Sequence, residues 1–368
     1  MRTPGVLARA VLLCHDCGVP ALITSQFPKS PVAALASGER SRVALRAALL
    51  ARGSAQEELF SLARRARDAT WPVREVETRS VIELSNVCQQ SCNYCSMAKE
   101  SKLKRYVIKQ GQLMERVEFL HALGRRVLGR RVLVLQSGEN DSDNFVGHVA
   151  KCVAEIKRGF PDLELILSLG NLSHRQYVRL REAGAERYNL KFETSSPSLY
   201  AMWKPGDSLE QRLACLRDLI AIGFKTGTGN ITGMPGQSLD DVIDDLLLLG
   251  KLDLTMMSCT VFIPGEMCGY RDEPMGDVDI ALNQMALMRI LYPTRLMPTT
   301  SCLERGKKGG QLAGLMAGAN TVTIHDGTPE EFKKLFPIYS TDRCSPDQAR
   351  CAAIVRDAGL SFGKAPLI

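Results

Sequence analysis

The sequence predicts an α/β protein built on a TIM-type (β/α)8 barrel, with a helical extension before the barrel and a short extension after it. From residue 80 onward, eight short apolar segments alternate with segments of helical periodicity. The composition is that of an ordinary globular protein, with 45% hydrophobic and 24% charged residues. The 368 residues are enough for one barrel of about 250 residues and both extensions.

Three regions are expected along the chain: the N-terminal extension over residues 1–75, the barrel over 76–340 and the C-terminal extension over 341–368. In the first region, residues 31–52 and 55–69 have the spacing of apolar positions that is typical of helices. A CxxC pair, Cys14 and Cys17, lies near its start. Because a structural zinc site needs a second pair nearby, we favour two separate thiols over a metal or redox pair.

The eight predicted strands share a short apolar run bounded by polar or turn-forming residues. They are 81–85, 132–136, 164–169, 187–192, 224–229, 257–263, 295–299 and 320–324. Helical patterns lie between them, for example at 145–157, 211–221, 240–250 and 280–291. In a barrel of this kind, functional residues lie at the C-terminal ends of the strands.

Charge and composition argue against several classes of protein. The net charge is +7, but the basic residues are scattered and no basic stripe is interleaved with aromatic residues, so no nucleic-acid partner is expected. No apolar run reaches the length of a membrane span. Twelve cysteines without a secretory signal favour a reducing cytoplasm and metal chemistry over disulfides.

The first predicted strand is followed by a cysteine motif, Cys88-x3-Cys92-x2-Cys95. One loop of this spacing brings three thiolates to one metal centre. Four cysteines would complete the ligands of a [4Fe–4S] cluster, whereas three leave one iron open, as in catalytic metal sites. Structural zinc would need a second cysteine pair at short distance, and three purely structural thiols rarely cluster in this way.

Polar and glycine residues follow the next strands. Gln136, Ser137 and Gly138 end the second strand, and Ser168 ends the third. Lys191 and Glu193 share one face of the fourth strand, so both can point into the barrel. The ends of the strands and the helices that follow therefore supply the candidate site residues, which include Gly229 in the fifth strand and Arg212 in the preceding helix.

The cysteine loop, with Tyr94 just before its third cysteine, resembles that of the radical S-adenosylmethionine (SAM) superfamily. A longer collinear set of segments is similar to the biotin-synthase-like branch of that superfamily, and most similar to the HydE family of [FeFe]-hydrogenase maturases. These segments are 83–88, 134–139, 167–170, 193–194, 211–216, 233–237, 262–264, 298–300, 318–320 and 328–329.

The resemblance implies the fold, the cofactors and the reaction. The three cysteines would hold a [4Fe–4S] cluster whose open iron chelates SAM, and one electron would release a 5′-deoxyadenosyl radical. Tyr94 would contact adenine, the Gly138 region would meet the methionyl amine, and Glu193 with Arg212 would hold the rest of SAM. The implied partners are a small-molecule substrate, an electron donor such as flavodoxin or ferredoxin, and other maturation proteins.

At the substrate end, the expected residues are mostly polar: Thr299, Thr300, His325, Asp326 and Tyr339. His325 with Asp326 is interpreted either as a pair that anchors substrate or donates a proton, or as the cap of a strand end. These residues favour a small carboxylate-bearing substrate, such as an amino acid or a thiol-ligated metal complex.

Three alternatives stay open at this point: a methylornithine-synthase-like mutase, a biotin-synthase-like enzyme and a non-catalytic iron–sulfur carrier. Sulfur insertion needs cysteines for a second cluster in the barrel, where Cys259 and Cys302 are candidates. In the C-terminal extension, Cys344 and Cys351 are half of a cluster's ligand set, so we expect no second cluster there.

Overall fold

The computed structural model describes residues 31–126, 129, 131–338 and 348–368. Cys14, Cys17, Tyr339 and Cys344 lie outside these residues. The barrel strands are β1 (Glu75–Ser85), β2 (Val132–Ser137), β3 (Glu164–Ser168), β4 (Arg187–Asn189), β5 (Lys225–Thr232), β6 (Met256–Val261), β7 (Pro298–Thr299) and β8 (Thr321–Ile324). The eight-stranded α/β barrel that the sequence predicts is confirmed.

All neighbouring strands of the barrel run parallel, in the order β6-β5-β4-β3-β2-β1-β8-β7. A bridge between Met256 and Leu296 joins the two ends of this order. Its hydrogen bonds are donated by the Met257 N–H to the Leu296 carbonyl at 2.9 Å and by the Leu296 N–H to the Thr255 carbonyl at 3.0 Å. The sheet is therefore nearly closed.

The first strand begins at Glu75, six residues before the predicted start at Val81. Its early part contains charged residues, which obscure the apolar pattern of a strand. Nevertheless, residues 76–85 are all buried. Residues 77–80 pair with β8, and Glu75 and Val76 pair with a further short strand, β9 (Ser361–Phe362).

Helices precede and alternate with the strands. They are α1 (Pro31–Ala36), α2 (Arg42–Leu49), α3 (Ser54–Thr70), α4 (Gln110–Arg126), α5 (Asp143–Gly159), α6 (His174–Glu182), α7 (Pro197–Trp203), α8 (Leu209–Ile222), α9 (Leu239–Leu249), α10 (Val278–Leu291), α11 (Ser301–Gly306), α12 (Gly310–Met316), α13 (Glu330–Lys333) and α14 (Gln348–Asp357). Over the described residues, no helix combines the length and apolarity that a membrane crossing requires.

The helical pattern at 31–52 forms two helices rather than one. Gly38 has φ +93°, a conformation that ends α1. The Ser41 hydroxyl then accepts a hydrogen bond from the Ala44 N–H and caps the start of α2. The extension packs on the barrel mainly through α3, which contacts α10. In α10, the Asn283 amide donates to the carbonyls of Leu49, at the end of α2, and Ala51, both at 2.9 Å.

A buried charge network lies at the N-terminal end of the barrel. The Arg187 guanidinium, which is fully buried, lies 2.9 Å from Glu77 and 2.8 Å from Glu164. Arg79 lies 2.8 Å from Glu77, and Lys225 lies 2.9 Å from Glu164. We call these five residues the bottom network. Charged residues are tolerated here because each acid lies beside two bases.

Candidate active site

A cavity of about 390 Å³ opens at the C-terminal ends of the strands, within the range of small-molecule sites. Most of the predicted site residues line it: Cys88, Cys92, Tyr94, Cys95, Gln136, Ser137, Gly138, Ser168, Glu193, Arg212, Thr300 and His325. Strand ends far apart in sequence therefore meet at one place, as the barrel fold requires.

The cysteine loop lies directly against the end of β2. The Gly138 N–H donates to the Ser85 carbonyl at 2.9 Å, and the Gln89 N–H donates to the Glu139 carbonyl at 2.9 Å. A Cβ atom at Gly138 would come within 2.4 Å of the Val87 carbonyl oxygen. Gly138 was expected to allow close approach of a ligand. In the structure, it allows close approach of the cysteine loop itself.

Arg105 holds the far side of this loop. Its guanidinium donates to the carbonyls of Asn86 at 2.6 Å, Met97 at 3.0 Å, Ala98 at 2.6 Å and Ser101 at 3.2 Å. Carbonyls on both sides of the three cysteines are thereby tied to one planar group. Sequence reasoning missed this residue, because an arginine that binds backbone carbonyls has no motif.

The three thiols line the same wall of the cavity. Burial raises the pKa of the Cys92 thiol to about 12 and also raises the pKa values of the Cys88 and Cys95 thiols. The described residues contain no three His, Cys, Asp or Glu side chains placed around a single metal ion. In a cubane [4Fe–4S] cluster each thiolate binds a different iron, so the three thiolates do not have to surround one metal ion. Three neighbouring thiols, one buried and two partly buried, therefore fit the ligand set of an iron–sulfur centre.

Lys191 and Glu193 both line the cavity after β4, as predicted. The Lys191 Nζ lies 2.9 Å from Glu193 Oε2, which makes an ion pair, and it also donates to the Thr260 hydroxyl at 2.9 Å. Glu193 has φ +66°, which is rare for a residue other than glycine. Its carboxylate is thus held at the cavity wall by an unusual backbone conformation.

Arg212 belongs to a buried network of four charges, which we call the mouth network. Its guanidinium Nη2 lies 2.6 Å from Glu139 Oε1 and 3.1 Å from Asp207 Oδ2. Lys204 Nζ lies 3.0 Å from the same Glu139 oxygen and 2.8 Å from Asp207. Burial lowers the pKa of Arg212, but the two carboxylates outweigh burial and raise it well above its usual value. Arg212 is therefore a buried, permanently charged part of the cavity wall rather than a surface residue.

Sequence reasoning predicted Arg212 but missed its partners. Glu139 ended a family-like segment, and Lys204 and Asp207 lie in a short polar turn with no motif of its own. Burial raises the pKa of Asp207, but the adjacent cations Lys204 and Arg212 outweigh it and lower that pKa to about 2. Glu139 also lies against Gly170, where a Cβ atom would come within 2.1 Å of its Cγ.

Three predicted site residues do not line the cavity: Gly229, Thr299 and Asp326. A Cβ atom at Gly229 would lie 2.0 Å from the Ser258 carbonyl oxygen, so this glycine serves the close contact of β5 with β6 rather than a flat approach of adenine. The Thr299 hydroxyl is buried and donates to the Gln311 carbonyl at 2.7 Å, so this side chain links β7 to α12.

The structure places a further carboxylate beside His325, in addition to the neighbouring residue Asp326 that the sequence suggested. The Nδ1 atom of His325 lies 3.2 Å from Oε1 of Glu83, a buried carboxylate of β1. The Thr328 hydroxyl donates to the other oxygen of Glu83 at 3.1 Å. The backbone carbonyl of Asp326 accepts from Arg116 at 3.0 Å, and Asp326 does not line the cavity. The imidazole–carboxylate pair therefore exists, and one carboxylate comes from a strand 242 positions away in the sequence.

The substrate end of the cavity also contains a thiol. Cys302 lines the cavity, and its Sγ lies 2.9 Å from the Thr300 hydroxyl. Cys259 does not line it, because its thiol donates to the Ala281 carbonyl of α10 at 3.4 Å. Of the two cysteines considered for a second barrel cluster, the structure brings only Cys302 to the cavity.

Comparison with known proteins agrees with this geometry. The family model of the radical SAM superfamily matches residues 82–249. The chain is 36% identical to the [FeFe] hydrogenase maturase subunit HydE of Thermotoga maritima over 289 residues, which is 78% of this chain and 80% of that protein. It is 27% identical to 3-methylornithine synthase of Methanosarcina barkeri over 73% of this chain and 74% of that protein.

Biotin synthase of Aquifex aeolicus is 27% identical to this chain, over 64% of this chain and 70% of the synthase. Among solved structures, methylornithine synthase (PylB) superposes with a TM-score of 0.77 at 23% identity, covering 90% of this chain and 97% of that one. At this identity the superposition shows the fold alone. The sequence similarity to HydE shows the family: the chain belongs to the radical SAM superfamily of enzymes, as a HydE-like member that uses a [4Fe–4S] cluster and SAM.

Proposed function

We propose that this radical SAM enzyme acts, like HydE, on a small substrate in the maturation of a metallocofactor. The observation that supports this most is the cavity at the C-terminal face, which joins three thiols at one end to Lys191, Thr260, Thr300 and His325 at the other, among apolar side chains such as Ile231, Phe262 and Phe336. The 36% identity to HydE extends over 78% of this chain and 80% of that protein.

In this proposal, Cys88, Cys92 and Cys95 bind the cluster. When bound, the cluster and SAM supply a 5′-deoxyadenosyl radical by one-electron reductive cleavage. Glu193 and Arg212 anchor SAM, and its remaining contacts come from Tyr94, Gln136, Ser137, Gly138 and Ser168. Because Arg212 is already bound to Glu139 and Asp207, it provides a fixed positive charge rather than a side chain that must move.

The substrate lies beyond SAM, among Lys191, Thr260, Thr300, Cys302 and His325. Lys191 is the cation of this surface, and the Thr260 hydroxyl lies 2.9 Å from its Nζ. The Lys191 ammonium group has three N–H donors, of which Glu193 and Thr260 take two, so it can also bind one carboxylate oxygen of a small anionic substrate. The surface suits an amino acid or a thiol-ligated metal complex.

Of the alternatives, an amino-acid mutase like methylornithine synthase is the stronger. Its substrate class fits the same cationic, hydroxyl-bearing surface. Sulfur insertion is less well supported, because among the described residues Cys302 is the one cysteine outside the cluster motif that lines the cavity. One thiol is far from the ligand set of a second cluster. A non-catalytic carrier role does not agree with membership of an enzyme family.

Enzymes of this family act on small substrates and need a reductant. We propose flavodoxin or ferredoxin as that reductant, and other maturation proteins as further partners. The nine cysteines of the described chain are all free thiols. Such thiols and an oxygen-sensitive cluster require a reducing compartment, for which we propose the cytoplasm.

Cluster-reconstituted protein, reduced with dithionite, should cleave SAM to 5′-deoxyadenosine. In a cell-free maturation of [FeFe] hydrogenase that lacks HydE, the same protein should restore hydrogenase activity. The Cys88→Ala variant, purified in parallel, should restore none. If the wild type cleaves SAM but restores no hydrogenase activity, and instead forms methylornithine from an amino-acid substrate, the maturase function is wrong and the mutase function replaces it.

A further inference from the structure

Asp245, in α9, is a completely buried carboxylate outside the cavity. It accepts five hydrogen bonds. Its Oδ1 accepts from the Ser195 N–H at 2.5 Å, the Ser195 hydroxyl at 2.7 Å and the Thr194 hydroxyl at 3.3 Å. Its Oδ2 accepts from the Asn230 amide at 3.0 Å and the Gln237 amide at 3.2 Å. A buried acid with this many donors and no basic partner among them is unusual.

The five donors come from the three segments that surround Glu193. Thr194 and Ser195 follow it directly in the chain. Asn230 is its bridge partner in β5. Gln237 closes the loop after β5, where its side chain accepts from the Gly233 N–H at 2.7 Å and donates to the Ile231 carbonyl at 3.0 Å. One carboxylate therefore links every segment next to Glu193.

Glu193 needs such support because its backbone is strained. The Thr194 N–H donates to the Phe192 carbonyl at 2.8 Å across Glu193, whose φ is +66°. A hydrogen bond between residues i and i+2 with positive φ at the central residue is the pattern of a rare, strained γ-turn. A strained conformation of this kind persists only where the surrounding structure fixes it on several sides.

We propose that Asp245 is the positioning residue that holds the Glu193 turn, and with it the carboxylate that anchors SAM. This inference rests on the proposed function, in which Glu193 contacts SAM. Asp245 does not itself touch the cavity, so it acts on SAM through the turn.

A neutral side chain cannot replace this carboxylate. In Asp245→Asn, one carboxylate oxygen becomes an NH2 group, which cannot accept hydrogen bonds from the donors that face it. The amides of Asn230 and Gln237 cannot turn round to accept from it, because their oxygens are held by the Gln284 amide at 3.0 Å and the Gly233 N–H at 2.7 Å. Burial raises the pKa of Asp245 to about 6, against the opposing hydrogen bonds from Ser195, so the carboxylate is ionised at pH 7.5.

The test compares Asp245→Asn with Asp244→Asn. Asp244 is the preceding residue, half exposed and paired with Arg42 on the surface, so its loss controls for the charge change. Cluster-loaded proteins are compared by their SAM dissociation constant, iron content and melting temperature. We expect Asp245→Asn to weaken SAM binding at least tenfold with iron content retained, and Asp244→Asn to leave affinity within twofold.

A double-mutant cycle separates positioning from general destabilisation. If Asp245 acts through Glu193, then Asp245→Asn added to Glu193→Ala should weaken SAM binding by less than twofold. A further tenfold loss in that background would overturn the proposal. Unchanged affinity in a folded Asp245→Asn protein would overturn it as well.

If Asp245→Asn fails to fold, the donors are removed instead with Thr194→Val and Ser195→Ala. This pair should weaken SAM binding at least threefold, and unchanged affinity contradicts the proposal. Glu193→Ala alone tests the proposed function separately. If it leaves SAM affinity unchanged, the SAM site itself is misplaced. If it weakens binding while the changes around Asp245 do not, only the positioning role fails.

Discussion

The two ends of the barrel each contain a buried network of acids and bases, but the two networks differ in whether they also line the cavity. In the bottom network, Arg187 is fully buried between Glu77 and Glu164, and the Leu367 N–H donates to Glu77 at 3.0 Å. In the mouth network, Glu139 and Arg212 pair in the same way but also line the cavity. The bottom network contacts protein groups, whereas the mouth network also faces the space where we place SAM.

The bottom and mouth networks therefore contain similar ion pairs but have different roles. Where charges are wholly paired inside protein, removing one partner leaves an uncompensated buried charge and destabilises the fold. Charges that are paired and also face a cavity are fixed in place for a ligand, without reorganisation when it binds. Substitutions at the bottom should change the free energy of unfolding, and substitutions at the mouth should change SAM affinity.

The largest effect is expected from Arg187→Met in the bottom network. Removing one partner of a buried ion pair costs about 3–5 kcal/mol, because the remaining charges stay buried. Urea unfolding should show that loss, while SAM affinity of the folded fraction stays within twofold. Lys225→Met is the matched control, since the Lys225 side chain is 40% exposed and its loss should cost about 1 kcal/mol or less. Equal losses in the two variants would remove the distinction.

The second largest effect is expected from acid, which should weaken the bottom network. Burial raises the pKa of Glu77, but the neighbouring Arg79 and Arg187 outweigh it and lower the pKa from 4.5 to about 2. A carboxylate with a lowered pKa stabilises the fold above its unfolded pKa, and that stability is lost as the pH falls through the folded pKa. The free energy of unfolding should therefore fall by about 3 kcal/mol between pH 4.5 and 2 on account of Glu77. A Glu77→Gln protein, measured by urea unfolding across that range, should lack this part of the slope. An identical slope in both proteins would contradict the assignment.

The smallest effect is expected from Arg212→Lys in the mouth network. Lysine keeps the charge but cannot reach Glu139, Asp207 and Tyr200 with one planar group, as arginine does. SAM binding should weaken by about tenfold, or about 1.4 kcal/mol. Arg217→Lys, on an exposed position of the same helix, is the control and should have no effect on affinity. Equilibrium dialysis with the cluster-loaded proteins measures both. Wild-type affinity in Arg212→Lys would show that the mouth network does not face SAM.

The two networks also mark what the sequence could and could not predict. Strand periodicity and the cysteine spacing are local signals, and they predicted the barrel and the loop at its first strand. The beginning of β1 was missed because Glu77 and Arg79 interrupt its apolar pattern, and only Arg187, 110 positions after Glu77, makes their burial possible. The separation between Lys204 and Glu139 is 65 positions. Pairings at such distances carry no periodicity, so no local pattern revealed them.

The same reason applies within the site. The sequence suggested Asp326 as the partner of His325, because the two residues are adjacent in the chain. The fold also brings Glu83 to His325 from the opposite end of the barrel sequence. Thr299 and Thr300 were both expected at the substrate, but Thr299 ends β7 with its hydroxyl bound to the Gln311 carbonyl, and Thr300, which precedes α11, lines the cavity.

The central claim is that Cys88, Cys92 and Cys95 bind the cluster at this cavity. It is tested most directly by iron content and by the EPR signal after reduction, in a variant with all three changed to alanine. The matched control changes Cys152, Cys215 and Cys259, three buried cysteines that do not line the cavity. The control should retain about four irons per chain and its signal, and the Cys88/Cys92/Cys95 variant should lose both. Retention of about four irons in the latter would contradict the claim.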